Sequence, residues 1–510
     1  MRSHPGFSFL EEALSKIGTI HLHLLALLCL LPPLVAQQSS PDIVLQGKVS
    51  GAQNKTYFDV PFDVPAGVHR ISVDFSYTGK DHKTALDLGI ADPERFRGYS
   101  GGNKSHFTIG EVDATPSYLP GAILAGKWKL LISIPNIRAT ELSEYRAEVR
   151  FNSAVEDQGF ALAPLDTRTR WYRGDLHMHT AHSDGSCVSQ SGNRVPCPVF
   201  LTAQAAAAQG LDFIAITDHN AASQYDAMRE LQPYFDRLLL IPGREMTTFW
   251  GHFNIFGITR YIDYRAAQLD GRSVNDILRD IRAMGGIASV NHADSPSGEI
   301  CMGCKWEPPA AVDMSLFIGV EVINGGRRSL SSADFWDRQL ANGARLTAIG
   351  GSDSHNGSAL PGETGAVGWP TTVVEATGLS VPAILDGIRH GRAFIDLTAS
   401  RNKILDLEAR DTTAGAKDWT PMGGTLRAPQ GHSIAIRVHI TGSPDSEVHL
   451  FLDGLETNSL PELHSESGSE ILPTEWTGDG QCHWLRAEVR DAKGALLLLS
   501  NPIYINHVTR

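Results

Sequence analysis

Between residues 170 and 400, short apolar runs alternate with stretches of helical periodicity, and no other feature constrains the fold as strongly. The runs are RGDLHMH, LDFIAITDH, LLLIPGREM, HFNIFGI, GIASVNH, GVEVING, LTAIGGSD and PTTVVEA, with helical intervals at 200–209, 224–235, 274–284, 333–341 and 381–390. Parallel strands give this pattern: a tight turn cannot connect them, so crossover helices do, covering the sheet on both faces. Seven or eight strands in this span predict an α/β fold with a closed (β/α) barrel rather than an open sheet.

The flanks have a different period. In 41–165, Ile71, Val73, Phe75 and Tyr77 alternate with Arg70, Ser72, Asp74 and Ser76. Trp128, Leu130, Ile132 and Ile134 do the same, as do Tyr145, Ala147, Val149 and Phe151, which predicts an antiparallel β-sandwich. From 402 to 510 the pattern returns in Ile434, Ile436, Val438 and Ile440, in Val448, Leu450 and Leu452, and in Leu485, Ala487 and Val489, predicting a second, smaller sandwich. Three folded parts suit 510 residues, since a single core stops growing at about 250 to 300. No repeat at a fixed period is present.

Residues 1–36 read as an address. The apolar run LHLLALLCLLPPLVA at 22–36 falls short of the roughly 20 residues of a membrane span, contains Pro32 and Pro33 and ends on a small residue. Cleavage near Ala36 is expected, with a secreted or periplasmic product and no stable membrane insertion; retention as an anchor is the alternative. In an oxidising compartment the C-x-x-C of Cys301 and Cys304 reads as a tight disulfide, because a structural zinc site needs two further ligands and none lies close in sequence. For Cys187 and Cys197 two readings stand: a bridge across the excursion after Asp184, or buried free thiols.

The barrel runs carry the chemistry. His177 and His179 end the first, Asp218 and His219 the second, Glu245 the third; His292 closes GIASVNH, Asp353 and His355 follow LTAIGG, and His252 opens HFNIFGI. In a parallel barrel the C-terminal strand ends form the active-site face, so residues distant in sequence converge there. An H-x-H on a strand puts both imidazoles on one side. A lone histidine at a strand end is usually just a hydrogen-bonded residue, but so many His and carboxylates at one end call for a common cause. A metal cluster supplies it, and mixed imidazole and carboxylate donors suit Zn, Mn or Fe over Ca or Mg alone. The formal charge of −13 speaks against nucleic acid as partner and leaves a small-molecule substrate. Oligomeric state is not legible.

The segments DLHMHTAHSDG, AITDHN, PGREM, VNHAD and GGSDSH resemble, in order, the motifs of the PHP (polymerase and histidinol phosphatase) superfamily. GHFNIFG, HGRAF, SNPIYI and the flanking β regions are similar to its exported carbaryl-hydrolase-like (CehA/McbA) branch. The resemblance implies a distorted (β/α)7 barrel with two or three divalent ions. It assigns His177, His179, Glu245 and Asp353 to the first, Glu245, His252 and His292 to the second, and Asp184, His219 and His355 to the third. A hydroxide bridging two ions would be the nucleophile, with Glu245 and Asp353 as its catalytic carboxylates. His182, between the H-x-H and Asp184, would protonate a leaving group or stand as a solvated loop histidine, and Asp218 would orient His219. Arg244 would pair with substrate or with a nearby carboxylate.

No G-x-S-x-G, Walker loop or G-x-G-x-x-G competes with metal-activated water. Phosphoester hydrolysis is the leading expectation and would need cationic donors such as Arg244, Arg327, Arg328 or Arg392. Carbamate, ester or amide hydrolysis is the first alternative and would need an apolar wall, with Phe249, Trp250, Trp306 and Trp369 as candidates. A non-catalytic binding module would have lost ligands, and every motif position here is filled. A nuclease fits poorly with the acidic charge.

Overall fold

The computed structural model describes residues 40–152, 163–265, 271–299, 301–325, 332–456, 460 and 462–507; the address segment 1–36, Arg327 and Arg328 lie outside them. By internal contacts the chain divides into two compact bodies, the described parts of Met1–Thr108 with Leu124–Ser153, and of Ile109–Ile123 with Ala154–Arg510.

The N-terminal alternation forms β1 (Ile43–Ser50), β2 (Tyr57–Val64), β3 (Arg70–Tyr77), β4 (Ala85–Ala91), β5 (Phe96–Tyr99), β6 (His106–Gly110), β7 (Gly126–Asn136) and β8 (Leu142–Asn152). They make two four-stranded sheets, β1-β8-β3-β6 and β2-β7-β4-β5. Strand β8 pairs antiparallel with β1 and β3, and β7 with β2 and β4. Ile71, Val73 and Phe75 in one sheet and Trp128, Leu130 and Ile132 in the other are buried, the faces the period-two pattern marks.

The second body is mixed α/β and dominated by strands. Its strands are β9 (Arg170–Asp175), β10 (Ser186–Val188), β11 (Arg194–Pro196), β12 (Phe213–Ile216), β13 (Leu239–Thr248), β14 (Gly251–Phe256), β15 (Ile287–Val290), β16 (Gly319–Asn324), β17 (Thr347–Gly351), β18 (Thr371–Ala376) and β19 (Ala393–Asp396). Helices Val199–Gln209, Gln224–Leu231, Val274–Ala283, Ala333–Ala341 and Val381–Arg389 fill the predicted intervals. Sheet order is β17-β16-β15-β14-β13-β12-β9-β18-β19.

Strand β18, expected to run parallel with the rest, is antiparallel to both β9 and β19, and two further features depart from an evenly wound (β/α) barrel. Strands β9, β12 and β13 run parallel, as do β15, β16 and β17, but β14 is antiparallel to both β13 and β15. Only Phe249 and Trp250 separate β13 from β14, too few for a crossover, so HFNIFGI is a hairpin arm rather than a parallel strand. The other departure is at the seam. Strand β17 ends the hydrogen-bonded path, and a side chain spans the gap to β18: Thr372 Oγ1 accepts from Gly350 N at 2.8 Å and donates to Gly350 O at 2.6 Å.

Beyond β19 the same sheet continues into Leu496–Ser500, His483–Asp491 and Ser446–Leu452, with Phe394 opposite Ser500 and Ile395 opposite Leu499. The stretch read as a separate sandwich at 402–510 therefore shares one layer with the α/β region. Its other layer is the four-stranded sheet of Thr420–Pro421, Ile404–Asp411, Ser433–Thr441 and Ser469–Thr477. Ile434, Ile436, Val438 and Ile440 bury with Val448, Leu450, Leu485 and Val489 between the layers. Among the described residues no helix is long and apolar enough to cross a membrane.

Candidate metal centre

The register of the strand ends gathers the donors. Isolated parallel bridges join Met178 to Ser354 and His219 to Glu245, and His179 N donates to Ser354 O at 2.9 Å, so the segments after β9, β12 and β17 and the end of β13 meet at one level. Alternation past β9 sends His177 and His179 to the same side, both fully buried, with ring centroids 5.2 Å apart. His292 and Asp353 hold φ of +28° and +49°, a region that costs a non-glycine residue about 1 to 3 kcal/mol and recurs where a site dictates side-chain direction.

Glu245, also buried, is the hub. Its Oε1 lies 3.5 Å from His177 Nε2, 3.2 Å from His252 Nδ1 and 3.3 Å from His292 Nε2; its Oε2 lies 3.6 Å from His179 Nε2 and 2.8 Å from His219 Nδ1. Asp353 Oδ1 is 3.3 Å from His177 Nε2 and 3.2 Å from His179 Nε2. Asp184 Oδ2 is 3.3 Å from His355 Nε2, and its Oδ1 is 3.7 Å from His219 Nε2. All nine residues assigned to metals by the motifs thus fall into one cluster. Donor atoms within 4.8 Å of one another group as His179, Asp184, His219 and His355; His177, His179 and Glu245; His177, His292 and Asp353; His219, Glu245 and His252; and His252, His292 and Cys304.

Burial is graded across the cluster. The Glu245 end is closed, whereas the Asp184 side chain is 58% exposed and His355 is 37% exposed. There a cavity of about 490 Å³ opens, lined by Asp353, His355, Asn356, Thr364, Cys187 and Arg194 among others.

The electrostatics are those of carboxylates set among imidazoles. Burial would raise the pKa of Glu245, but His177, His219 and His252 outweigh it and hold the group well below the usual range. Burial likewise opposes ionisation of Asp353, and His177 and His179 overcome it. Asp184, lowered to about 2 against the effect of burial, responds chiefly to His355. His355 in turn is raised to about 9, burial being outweighed by Asp184 and Asp353.

Several buried atoms nevertheless make no well-aligned hydrogen bond among the described residues, for all their close polar neighbours: His177 Nε2, both ring nitrogens of His252, His292 Nδ1 and Glu245 Oε2. Each such atom costs about 1 to 3 kcal/mol unless something satisfies it. Divalent cations would do so, and the donor types fit them.

Neighbouring polar groups orient the imidazoles. Glu321 Oε1 accepts from His177 Nδ1 at 2.9 Å, His219 Nδ1 meets Thr247 Oγ1 at 2.6 Å, and His355 Nδ1 donates to the Asp353 carbonyl at 2.9 Å. For His177 and His355 this leaves Nε2 facing the cluster, whereas His219 turns Nδ1 to Glu245 and Nε2 to Asp184. Asn291 Nδ2 donates to Glu245 Oε1 at 2.9 Å. The sequence reading missed Glu321 and Asn291. An acidic residue inside the otherwise apolar run GVEVI was the available signal for the first; nothing comparable marks the second.

Three expectations are corrected. Asp218 does not orient His219: it accepts from Thr180 N and Thr180 Oγ1, both at 2.7 Å, and from Ser183 Oγ at 2.6 Å, bracing the turn that carries Asp184. Arg244 meets no carboxylate among the described residues and does not line the cavity beside His355. It is buried, donating to the carbonyls of Ala221 at 2.9 Å, Thr259 at 3.4 Å and Arg260 at 3.3 Å, beside Tyr225 and Tyr261. Arg392 is taken up by Glu375 and Asp406. His182 joins none of the donor groups given above; its Nδ1 is 2.7 Å from Ser223 Oγ. Of the aromatic candidates, Trp306 packs on Phe253 and Phe317, Trp369 Nε1 donates to Leu397 O at 2.6 Å, and Phe249 is 73% exposed. Cys187 and Cys197 are buried free thiols, and burial raises the Cys197 pKa to about 12. Cys301 and Cys304 stand at disulfide distance, Cα to Cα 5.6 Å.

No protein-family profile matches the chain, and no curated protein does. Eight chains of solved structures match. One is a two-domain protein from Bacteroides vulgatus containing a predicted PHP-like metal-dependent phosphoesterase, similar over 69% of this chain and 100% of that one at 18% identity, with a TM-score of 0.34. What the chain does therefore has to be read from its own site.

Proposed function

We propose that the chain is a metal-dependent hydrolase of the PHP type, acting on small phosphoesters. One observation carries the reading: a buried carboxylate, Glu245, within 3.6 Å of nitrogens from five imidazoles, with several of the atoms in that cluster left unpaired. Divalent cations shared among these imidazoles and carboxylates would satisfy the unpaired atoms, and the groups given above would hold two or three. Divalent transition ions there would supply Lewis acidity, lowering the pKa of water from 15.7 toward about 7 and offsetting charge on a phosphoryl group.

The protein's own part is orientation. Glu321 and the Asp353 carbonyl keep protons on Nδ1 of His177 and His355, Thr247 positions the His219 ring, Asn291 steadies Glu245, and Asp218 sets the Asp184 turn. Substrate approaches from the Asp184 and His355 side, where Arg194, Asn356 and Thr364 offer polar contacts. Arg194 supplies a cation that a phosphoester would use, while Trp306 and Trp369 are committed to packing and to a backbone carbonyl. Export, and cleavage near Ala36, belong to the same proposal.

The test is the metal-loaded protein assayed in parallel on a phosphomonoester, a phosphodiester and an aryl ester. Turnover of a phosphoester that is lost with chelator and regained with metal is expected. Turnover of the aryl ester only would transfer the assignment to carbonyl hydrolysis, and none on any substrate with metal bound would favour a binding role.

A further inference from the structure

The C-x-x-C turn is built into the cluster. One ring nitrogen each of His252 and His292 and the Sγ of Cys304 lie within 4.8 Å of one another, and all three residues are buried. Neither nitrogen of His252 makes a well-aligned hydrogen bond among the described residues, nor does Nδ1 of His292. Glu245 Oε1 borders the same two imidazoles.

Tight packing holds the sulfur there. Gly303 has φ +79°, and a Cβ on it would meet Thr248 O at 2.4 Å, so the turn lies directly against the end of β13. Trp306 N donates to Ala293 O at 3.0 Å, and Glu307 N donates to Trp250 O at 2.7 Å. The Trp306 ring covers Gly251, where a Cβ would come within 2.4 Å of it. The loop is thus fastened to the hairpin that carries His252 and to the segment that carries His292. On its outer side Met302 is 80% exposed, so the turn is open to solvent.

We propose that Cys304, as a thiolate, is a donor to the metal held by His252 and His292, and that bonding to Cys301 takes this donor away. The inference rests on the metal-centre reading above. It also explains the C-x-x-C differently from the local sequence: the partner ligands it lacks nearby arrive from β14 and from the end of β15.

The exchange balances. A dithiol reductant gives two electrons to the Cys301–Cys304 bond; the S–S bond breaks, two thiols form, and the reductant becomes a disulfide. Metal binding then displaces the Cys304 thiol proton to solvent. A site of two imidazoles and one thiolate prefers Zn or Co(II) over Mn, whereas imidazole and carboxylate alone discriminate less. The ion that the reduced protein selects would therefore differ from the ion it retains after oxidation.

Cobalt(II) reports on this directly, because thiolate ligation gives a near-ultraviolet charge-transfer band that imidazole and carboxylate do not. The full chain, loaded with cobalt under a dithiol reductant, should show the band, and so should Cys301→Ser. Oxidant should abolish it in the unsubstituted protein and leave it in Cys301→Ser, which keeps the sulfur but cannot form the bond. Cys304→Ser should lose the band while retaining the visible d–d absorption of the remaining sites. A band that persists in Cys304→Ser, or none in the reduced protein with cobalt bound, would overturn the proposal and leave the metal centre standing. Failure of the chain to bind cobalt at all would remove the metal centre and this proposal with it.

Discussion

Glu321→Gln separates a carboxylate that orients a ligand from one that merely fills space. Glu321 is buried on β16, with Oε1 2.9 Å from His177 Nδ1 and Oε2 accepting from His292 N at 3.2 Å and Asn324 Nδ2 at 3.0 Å. Glutamine keeps the size but has one acceptor oxygen where these donors need two. If that oxygen stays on His177, the new amide N–H₂ faces two donors, and the fold loses about 1 to 3 kcal/mol. The metal loses more specifically, because the acceptor that makes His177 a better donor is no longer charged. Such partners are worth about 10- to 100-fold in affinity, or about 1.4 to 2.8 kcal/mol. Chelator competition for zinc measures the second quantity, and thermal unfolding of the metal-free protein measures the first. Zinc affinity unchanged within about twofold, in a variant that still folds, would refute the role given to Glu321.

Three further outcomes are expected. Glu245→Gln should lower kcat by on the order of 10³-fold, about 4 kcal/mol of barrier, on every substrate, and near-normal turnover with full metal content would remove Glu245 from the centre. His182→Ala tests the sequence-based suggestion of a proton donor: with the role, an alkyl phosphoester suffers by about 10² to 10⁴ and a nitrophenyl one far less, whereas equal small losses would leave His182 as a partner of Ser223 alone. Near the C-terminus, burial depresses the pKa of His483 but contacts with Asp453 and Asp479 raise it overall. The stabilisation from that pairing is complete below the unfolded value of 6.5 and is lost as pH rises through the folded one, so His483→Gln should destabilise in acid and become neutral in alkali, as denaturant melts at several pH values will tell.

The cluster was legible because ligand-type residues at successive strand ends are chemically conspicuous, and the strands were legible from period and length. The direction of β14 was harder to see, since an apolar run looks the same parallel or antiparallel. The short TTFWG link carried that information: it leaves no room for a crossover. Asp218 and Arg244 were misjudged for different reasons. Successive side chains on β13 point to opposite faces, so adjacency to Glu245 turns Arg244 away from the site, whereas Asp218 lies beyond the end of β12, where no strand alternation sets its direction. Asp218 accordingly braces the Thr180 turn and Arg244 the carbonyls of Ala221, Thr259 and Arg260. Glu321 sits mid-strand rather than at an end, and Cys304 meets His252 and His292 only through tertiary packing.

Elemental analysis of the chain, purified without chelator and quantified per protomer, tests the central claim most directly. Two or three transition-metal ions per chain are expected, because the cluster has donors for that many and unpaired atoms that need them. Fewer than one per chain, in folded protein that takes up none on dialysis against zinc or manganese, would contradict the account.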